Sequence, residues 1–217
     1  MKWEVAPLFE TPVFKFSIPE TDSVKAYFFE HIQNVSGDER DEQGALSHYY
    51  SRQNVLAKFP ELKTLSANLH KAASFTYKEL LNYKDSGDLK VTNSWFNLCK
   101  LGGSQPAHNH ANCLLSGTLY LNTDEHTALD FHHPISSVSQ HAELYDRPSD
   151  EANEYGLKFH KRQSRIRVKN GDCLFWPSHL RHSYQNNQTA DRLTLSFNLM
   201  PEFLNLDYRL SLGNDAP

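Results

Sequence analysis

Residues 170–182, NGDCLFWPSHLRH, bear more directly on the fold than any other stretch of this chain. Asn170-Gly171 is a dipeptide typical of tight turns. The apolar run from Cys173 to Trp176 that follows has the length of one strand, and this strand ends at Pro177. A turn, a short apolar strand and a further turn predict antiparallel β structure in this part of the chain.

The segments on either side follow the same period of two. From residue 91 onward apolar and polar residues roughly alternate, and the predicted strands are Val91–Lys100, Leu114–Leu121, Ala128–Phe131, Arg165–Val168, Asp172–Trp176 and Arg192–Leu199. Short strands separated by turns predict a sandwich or barrel, and a jelly roll fits best. The polar stretch 132–164 is long for a loop in a compact domain, so we expect a functional role such as an active-site lid.

The N-terminal part has a different pattern. Residues 8–18 alternate after a proline and predict an edge strand. Thr21 or Asp22 then caps a helix whose apolar positions recur every four residues. A second helix is predicted over roughly 60–83, because its apolar residues fall three or four apart and form one stripe.

Length and composition agree with one domain. The chain has 217 residues, of which 39% are hydrophobic and 22% are charged, so it is neither disordered nor membranous in composition. We expect a single domain over residues 1–217, with residues 1–90 as a helical N-terminal support and residues 91–200 as the jelly-roll core. The predicted fold class is mainly β with N-terminal helices (α+β).

The net charge and the hydropathy of the chain limit the kinds of binding partner that we expect. The formal net charge of −4 is a poor match for sequence-independent nucleic-acid binding, so no nucleic-acid partner is expected. No stretch approaches the ~18 apolar residues of a membrane helix, and we therefore expect no membrane partner and a cytoplasmic location. The widely spaced Cys99, Cys113 and Cys173 are expected to be buried free thiols. A homodimer is a candidate assembly.

Three of the 12 histidines suggest a metal site. Two residues that lie two apart on a strand point to the same face, so His108 and His110 are able to share one metal. Taken alone, the pair is explained more simply by contacts with water or carbonyls at a strand edge. However, His182 lies far along the chain and Arg192 follows it by ten residues. Two ligands from one strand and turn, a distant third and a nearby cation are typical of a mononuclear iron oxygenase.

Several further motifs follow one another in a fixed order. They are Leu8 to Val13, Trp95-Phe96-Asn97, His108-Asn109-His110, Leu115-Ser116-Gly117-Thr118-Leu119-Tyr120-Leu121, Gly171 to Ser178, His182, and Arg192 to Asn198. In this order the sequence resembles the 2-oxoglutarate- and iron(II)-dependent oxygenases, and most of all a bacterial and phage family within them. The resemblance covers nearly the whole chain, and it implies a double-stranded β-helix, the cupin-like form of the jelly roll.

The resemblance also implies roles for single residues. His108 and His182 correspond to the first and last ligands of the usual His-x-Asp/Glu…His triad. Arg192 corresponds to the residue that grips the distal carboxylate of 2-oxoglutarate, a task suited to a planar guanidinium that forms two parallel bonds. Tyr120 stands where related enzymes place a tyrosine hydroxyl on the same carboxylate.

Three positions keep two interpretations each. Asn97 and Asn198 lie on strands expected to line the pocket, where either contacts the cosubstrate or is a buried amide satisfied by the backbone. His110 occupies the position of the usual carboxylate ligand. It is either a third ligand, which we favour, or it supports the site from outside while a water takes its place.

The leading hypothesis is an Fe(II)/2-oxoglutarate-dependent oxygenase with His108, His110, His182 and Arg192 as catalytic residues. It converts 2-oxoglutarate to succinate and hydroxylates a small-molecule or peptidyl substrate that the sequence does not identify. One alternative is a cupin-like three-histidine dioxygenase or isomerase that uses no 2-oxoglutarate. Another is a non-catalytic module that binds the metal and 2-oxoglutarate without turnover.

Overall fold

The computed structural model describes residues 11–19, 21–35, 39–40, 45–83, 87–134, 163–205 and 208–209. The predicted functional loop 132–164 lies outside the described residues between positions 135 and 162, as does the start of the predicted first strand. In the ranges that are described, no helix combines the length and the hydropathy needed to cross a bilayer.

The described strands form two main sheets and a short ribbon. Their bounds are β1 Phe14–Ser17, β2 Glu39–Arg40, β3 Leu46–Tyr49, β4 Leu89–Lys100, β5 Gln105–His108, β6 Leu115–Asn122, β7 Ala128–His132, β8 Gln163–Arg167, β9 Asp172–Pro177, β10 His182–Tyr184, β11 Asp191–Pro201, β12 Phe203–Asn205 and β13 Tyr208–Arg209. The large sheet has the order β1-β9-β6-β11-β4-β3-β2, and the small sheet has the order β5-β10-β7-β8. Every ladder between these strands is antiparallel. The predicted jelly roll is confirmed, and β1 lies at the edge of its sheet as predicted.

The central strands of the large sheet are apolar on one face and polar on the other, because successive side chains point to opposite faces. One face joins the main core with the helices, and its members include Phe96, Leu119, Leu195 and Phe197. The other face is turned toward the small sheet, and its members include Asn97, Thr118, Thr194 and Ser196. The strands thus separate a packing surface from a polar interior.

The helices cover the apolar face. Their bounds are α1 Thr21–Tyr27 with a π-helical turn at Phe28–Ile32, α2 Val55–Lys58, a 3-10 turn at Pro60–Leu62, and α3 Lys63–Phe75 with a π-helical turn at Thr76–Leu80. Leu65 and Leu69 of α3 are buried in the same core, as the predicted apolar stripe requires. The aromatic ring of Phe28 packs on Phe96 of β4, with 5.1 Å between the ring centroids.

Strands β6 and β11 approach each other closely at one point. Gly117 lies opposite Phe197, and Ser116 lies opposite Asn198. A Cβ atom at Gly117 would lie 2.3 Å from the ring of Phe197 and 3.0 Å from the carbonyl oxygen of Leu174. Only glycine therefore leaves room for the ring to lie across this strand.

The small sheet brings distant parts of the chain together. Strand β10 lies between β5 and β7, so that His182 is opposite His108 on one side and Phe131 on the other. Leu129, Phe131, Trp176 and Tyr184 are among the residues of a second apolar cluster that fills the space between the sheets. This cluster packs against His182, whose ring centroid lies 4.7 Å from that of Trp176 and 6.3 Å from that of Phe131.

Two local expectations need correction. The N-terminal part is less helical than its sequence predicts, because β2 and β3 join the predicted edge strand β1 in the large sheet, where β3 pairs with β4. The His-x-His pair does not lie on one strand, because β5 ends at His108 and His110 follows in an irregular segment. The position of His110 is therefore set by contacts rather than by strand alternation.

Candidate metal centre and adjoining cavity

Three histidine side chains converge between the two sheets. The ring centroids of His108 and His182 are 4.3 Å apart. The ring of His110 lies 5.3 Å from His108 and 5.2 Å from His182 by the same measure. One nitrogen of each ring lies within 4.8 Å of the nitrogens of the other two. Imidazole nitrogens grouped in this way are able to hold one first-row metal ion and leave its other positions open.

Backbone carbonyls fix the tautomer of two of these rings. Nδ1 of His108 lies 2.9 Å from the carbonyl oxygen of Pro106, and Nδ1 of His182 lies 3.2 Å from that of Leu180. A carbonyl oxygen only accepts hydrogen bonds, so Nδ1 carries the proton in both rings. Nε2 is then the free ligand atom, an arrangement common among metal-binding histidines.

All three rings are held neutral. Burial, together with the nearby His108 and His110, lowers the pKa of His182 to about 3. Burial and the neighbouring His108 lower the pKa of His110 to about 4. Burial also lowers the pKa of His108 below its ordinary value. Neutral imidazole is the form that binds metals, so the cluster needs no deprotonation at neutral pH.

His110 is held by two neighbouring segments although it lies outside any strand. Its backbone N–H donates to the carbonyl oxygen of Ser178 over 3.1 Å. Its ring stacks on Trp95 of β4, with 5.8 Å between ring centroids and 27° between planes. The backbone contact with Ser178 and the ring contact with Trp95 thus hold His110 beside the other two histidines.

A narrow cavity extends from the three histidines to Arg192. Its lining comprises Trp95, Asn97, Gln105, His108, His110, Thr118, Tyr120, Leu129, His182, Tyr184, Arg192, Thr194 and Ser196. Arg192 is only 4% exposed. The central guanidinium carbon lies 3.6 Å from the centroid of the Tyr184 ring and 5.6 Å from that of Tyr120. The cation is therefore fixed by two aromatic rings.

Two donors at this end of the cavity have no partner. Nε of Arg192 and Oη of Tyr120 are buried and form no hydrogen bond. Within the described ranges, no carboxylate forms an ion pair with Arg192. Burial raises the pKa of Tyr120 to about 12, so its hydroxyl keeps the proton that it can donate. Buried donors without acceptors are costly, and a bound carboxylate would satisfy both.

The two asparagines differ in position. Asn97 lines the cavity, where its Nδ2 donates to Thr194 Oγ1 over 3.2 Å and to Ser196 Oγ over 2.9 Å. Trp95 Nε1 donates to Asn97 Oδ1 over 2.9 Å. Asn198 is absent from the cavity lining given by the described residues, and its Oδ1 accepts from Ser116 Oγ over 3.1 Å. A cosubstrate contact by either asparagine stays a prediction.

The period of two also predicts three further residues of the cavity lining. Tyr184 follows His182 by two positions on β10, and Thr194 and Ser196 follow Arg192 by two and four on β11. The period of two places each of these side chains on the same face as the functional residue. His179, in contrast, is exposed and is absent from the histidine cluster.

The comparisons with known proteins point in the same direction. Residues 93–198 match the family model described as "Putative 2OG-Fe(II) oxygenase", where 2OG is 2-oxoglutarate. No curated protein matches the sequence.

Solved structures share the fold at low sequence identity. The crystal structure of HygX from Streptomyces hygroscopicus, with nickel and 2-oxoglutarate bound, is 14% identical over 89% of this chain and 84% of its own, with a TM-score of 0.55. AviO1 from Streptomyces viridochromogenes Tue57 is 12% identical over 93% of both chains, with a TM-score of 0.56. The non-heme alpha ketoglutarate dependent epimerase SnoN from nogalamycin biosynthesis is 13% identical over 88% of this chain and 77% of its own, with a TM-score of 0.57.

The matched segment contains the histidine cluster, Arg192 and Tyr120, which the fold brings into one cavity between the sheets. Motif, fold and site agree with the match of residues 93–198 to the 2OG-Fe(II) oxygenase family model.

Proposed function

We propose that the protein uses iron(II), dioxygen and 2-oxoglutarate to hydroxylate a C–H bond of a small-molecule or peptidyl substrate. One oxygen atom enters the substrate and the other enters succinate, and 2-oxoglutarate loses carbon dioxide. The observation that carries the proposal is Arg192, a buried cation without a carboxylate partner among the described residues. It lines the same narrow cavity as the three neutral imidazoles. A buried charge is costly unless it is paired, so a dianionic cosubstrate that reaches from the metal to Arg192 supplies the missing charge.

In this proposal His108, His110 and His182 bind the iron through neutral nitrogens. Arg192 holds the distal carboxylate of 2-oxoglutarate with two parallel bonds, and the Tyr120 hydroxyl donates to the same group. The ring of Tyr184, whose centroid lies 3.6 Å from the guanidinium carbon, keeps the guanidinium in place. When bound, iron and 2-oxoglutarate supply the oxidising chemistry, while the chain supplies orientation and a cavity that excludes water.

We further propose that His110 is the third ligand. Its support comes from the grouping of the three ring nitrogens, the backbone bond to Ser178 and the Trp95 stack. A neutral imidazole leaves the metal one positive unit higher than a carboxylate would, and this favours binding of the 2-oxoglutarate dianion. It also suits nickel and zinc, so a purified sample is expected to carry either metal in place of some iron.

Succinate release tests the proposed reaction. The purified protein is incubated with iron(II), oxygen and 2-oxoglutarate, with and without fractions of a metabolite extract, and succinate is quantified. We expect succinate that requires added 2-oxoglutarate and is absent from the His182→Ala variant. Substrate oxidation without 2-oxoglutarate would instead support the cupin-like alternative. Calorimetric 2-oxoglutarate binding without any succinate would support the non-catalytic module.

Iron titration tests the ligand assignment. The His110→Ala variant is expected to lose much of its iron affinity, whereas His110→Asp recreates a two-histidine, one-carboxylate site and binds iron. The Asp variant should bind 2-oxoglutarate more weakly because of the added negative charge. His179→Ala serves as the control, since this exposed histidine should leave the iron affinity intact. Wild-type affinity in the Ala variant would falsify ligation by His110.

A cytoplasmic location is also part of the proposal. Cys99, Cys113 and Cys173 are all free thiols, which suits a reducing compartment.

A further inference from the structure

A second, wider cavity shares Tyr184 and Arg192 with the narrow cavity beside the histidines. Its volume is about 550 Å³, and its lining comes from the start of β7, from β8, and from residues 185–188 in the loop between β10 and β11. Among the described residues that line it, none belongs to the histidine cluster. We call this space the outer cavity, and Tyr184 and Arg192 form its boundary with the metal site.

The outer cavity has more cations than acids in its lining. Arg165, Arg167 and Arg192 contribute guanidinium groups, and Asp130 is the one acid among the described lining residues. Asp130 is already engaged, because both of its oxygens accept from Arg165. In the part of the chain that the structure describes, neither Arg167 nor Arg192 forms an ion pair with a carboxylate. Two guanidinium groups thus line one cavity without a compensating charge among these residues.

The loop that contributes residues 185–188 is held firmly in place. Asn187 is buried, and its Nδ2 donates to the carbonyl oxygens of Cys99 and Thr189 over 3.0 and 2.7 Å. The backbone N–H of Asn187 donates to the carbonyl oxygen of Gly103 over 2.8 Å. These bonds tie the loop to the end of β4 and to the turn that follows it. The outer cavity therefore has a wall that is formed before any ligand binds, as is usual for ligand sites.

The chemistry of the lining selects one class of ligand. A planar guanidinium binds carboxylate and phosphate groups through two parallel hydrogen bonds. Arg192 is only 4% exposed, and a buried cation is costly unless an anion pairs with it. A volume of about 550 Å³ also lies within the range of small-molecule sites, roughly 300–1,000 Å³. Size and charge together favour a small anion with more than one negative charge.

We propose that the outer cavity binds a small multivalent anion with carboxylate or phosphate groups, and that this anion opposes the binding of 2-oxoglutarate. Arg167 and Arg192 supply the charge-assisted hydrogen bonds. Because Arg192 also anchors 2-oxoglutarate in the proposed function, the two anions share one guanidinium and repel each other. The opposition between the two ligands rests on that proposed function, whereas binding in the outer cavity does not.

Calorimetry on the metal-free protein tests the outer cavity directly. Glycerol 2-phosphate and propane-1,2,3-tricarboxylate are titrated separately at constant ionic strength, because salt screens exposed charges. We expect saturable binding of at least one of them, and their relative affinities show whether phosphate or carboxylate is preferred. Arg167→Gln should weaken this binding about tenfold, the scale of one hydrogen bond to a charged group, and Arg167→Lys should weaken it less. Lys169→Gln removes an exposed cation that is absent from the described lining, and it should bind like wild type.

The affinity for 2-oxoglutarate is then measured in nickel-loaded protein, with and without the anion that binds more tightly. The nickel retained on the protein is quantified in every sample, so that chelation by the anion is excluded. In wild type the anion should raise the Kd of 2-oxoglutarate about fivefold or more, the lower end of usual coupling between sites, and the effect should reach a plateau. Arg167→Gln should bind 2-oxoglutarate like wild type without the anion and respond less when it is added.

The outcomes separate this inference from the proposed function. The outer site would be overturned if neither anion bound, or if both bound equally well to wild type and Arg167→Gln. Binding that depends on Arg167 but leaves the Kd of 2-oxoglutarate unchanged would overturn the opposition between the ligands. If nickel-loaded wild type bound no 2-oxoglutarate at all, the proposed function would fail, while the outer site would still be supported by the titration of metal-free protein.

Discussion

Neighbouring residues on β4, β6 and β11 belong to two different environments. Phe197 faces the helices and is packed into the main core, whereas Ser196, one residue earlier, faces the cavity and accepts from Asn97. On the apolar face, burial of nonpolar surface stabilises the fold, and this effect does not depend on the orientation of the contacting groups. On the polar face each group needs a partner of defined geometry, and Arg192 forms no ion pair with a carboxylate in the described part of the chain. The comparison indicates that stability and ligand binding are carried by alternate residues of the same strands.

The largest expected effect is on the apolar face. The Phe197→Ala variant should lose about 3–5 kcal/mol of unfolding free energy, because it removes a fully buried ring and leaves a cavity beside Gly117. Chemical denaturation measures the change. Iron affinity of the folded fraction should stay within a few-fold of wild type. A strong loss of metal binding in protein that remains folded would show that the two faces are not independent.

The next effect is on the polar face. Arg192→Met should weaken 2-oxoglutarate binding by about 2–5 kcal/mol, because it removes the partner of a buried carboxylate. The melting temperature of the ligand-free variant should not fall below that of wild type, since the variant also removes an unpaired buried cation. Calorimetry measures the first quantity and a melting curve measures the second. Unchanged 2-oxoglutarate affinity would place the anchor elsewhere.

Arg165 on β8 provides the contrast of an arginine with a partner. Its Nε and Nη2 donate to the two carboxylate oxygens of Asp130 over 2.7 and 2.8 Å. The Arg165 hydrogen bonds hold the pKa of Asp130 below its ordinary value. Stability from this pair is therefore present above the unfolded pKa near 3.9 and is lost as the pH falls through the lower folded pKa.

Replacement of Asp130 tests this pair. Asp130→Asn should cost about 1–3 kcal/mol at neutral pH, the range for hydrogen bonds to charged groups. Its stability should also change less than that of wild type between pH 4 and the acid limit. Urea unfolding at several pH values measures both. If the unfolding free energies of wild type and Asp130→Asn changed in parallel with pH, the Asp130–Arg165 pair would not be a source of stability.

The smallest expected effect is that of Ser196→Ala. The variant removes one acceptor of Asn97 Nδ2, which keeps its second bond to Thr194, and one hydroxyl contact of Thr118. We expect a loss of about 1 kcal/mol or less in unfolding free energy. Denaturation and 2-oxoglutarate calorimetry on one sample provide both values. A loss as large as that of Phe197→Ala would show that the polar network also determines stability.

The long strands were predictable because their period of two extends over many residues. Strand β11 has apolar residues at Leu193, Leu195 and Phe197 with polar residues between them, and this alternation predicts a strand with two distinct faces. Strand β5 reads Gln-Pro-Ala-His and β10 reads His-Ser-Tyr, so neither is long or apolar enough to produce a signal. Sequence periodicity therefore does not predict the two strands that carry His108 and His182.

The site was predictable to a similar degree. The family resemblance named the residues that the fold brings together around the cavity. The local sequence does not reveal that Ser116 Oγ donates to Asn198 Oδ1, because that contact depends on how β11 pairs with β6. It also does not reveal that Arg192 forms no ion pair with a carboxylate of the described residues, since this is a property of the folded interior.

The glycine in the Ser116-Gly117 pair has a consequence for strand register. A slip of β11 by one residue along β6 would set Phe197 opposite Ser116 or Thr118 and would mix polar and apolar faces. A slip by two would set it opposite Leu115 or Leu119, whose side chain would occupy the space that only glycine leaves for the ring. The space beside Gly117 therefore allows only one alignment of β11 along β6. The same alignment keeps Arg192, Thr194 and Ser196 on the cavity face, so a one-residue error in pairing would remove these side chains from the site.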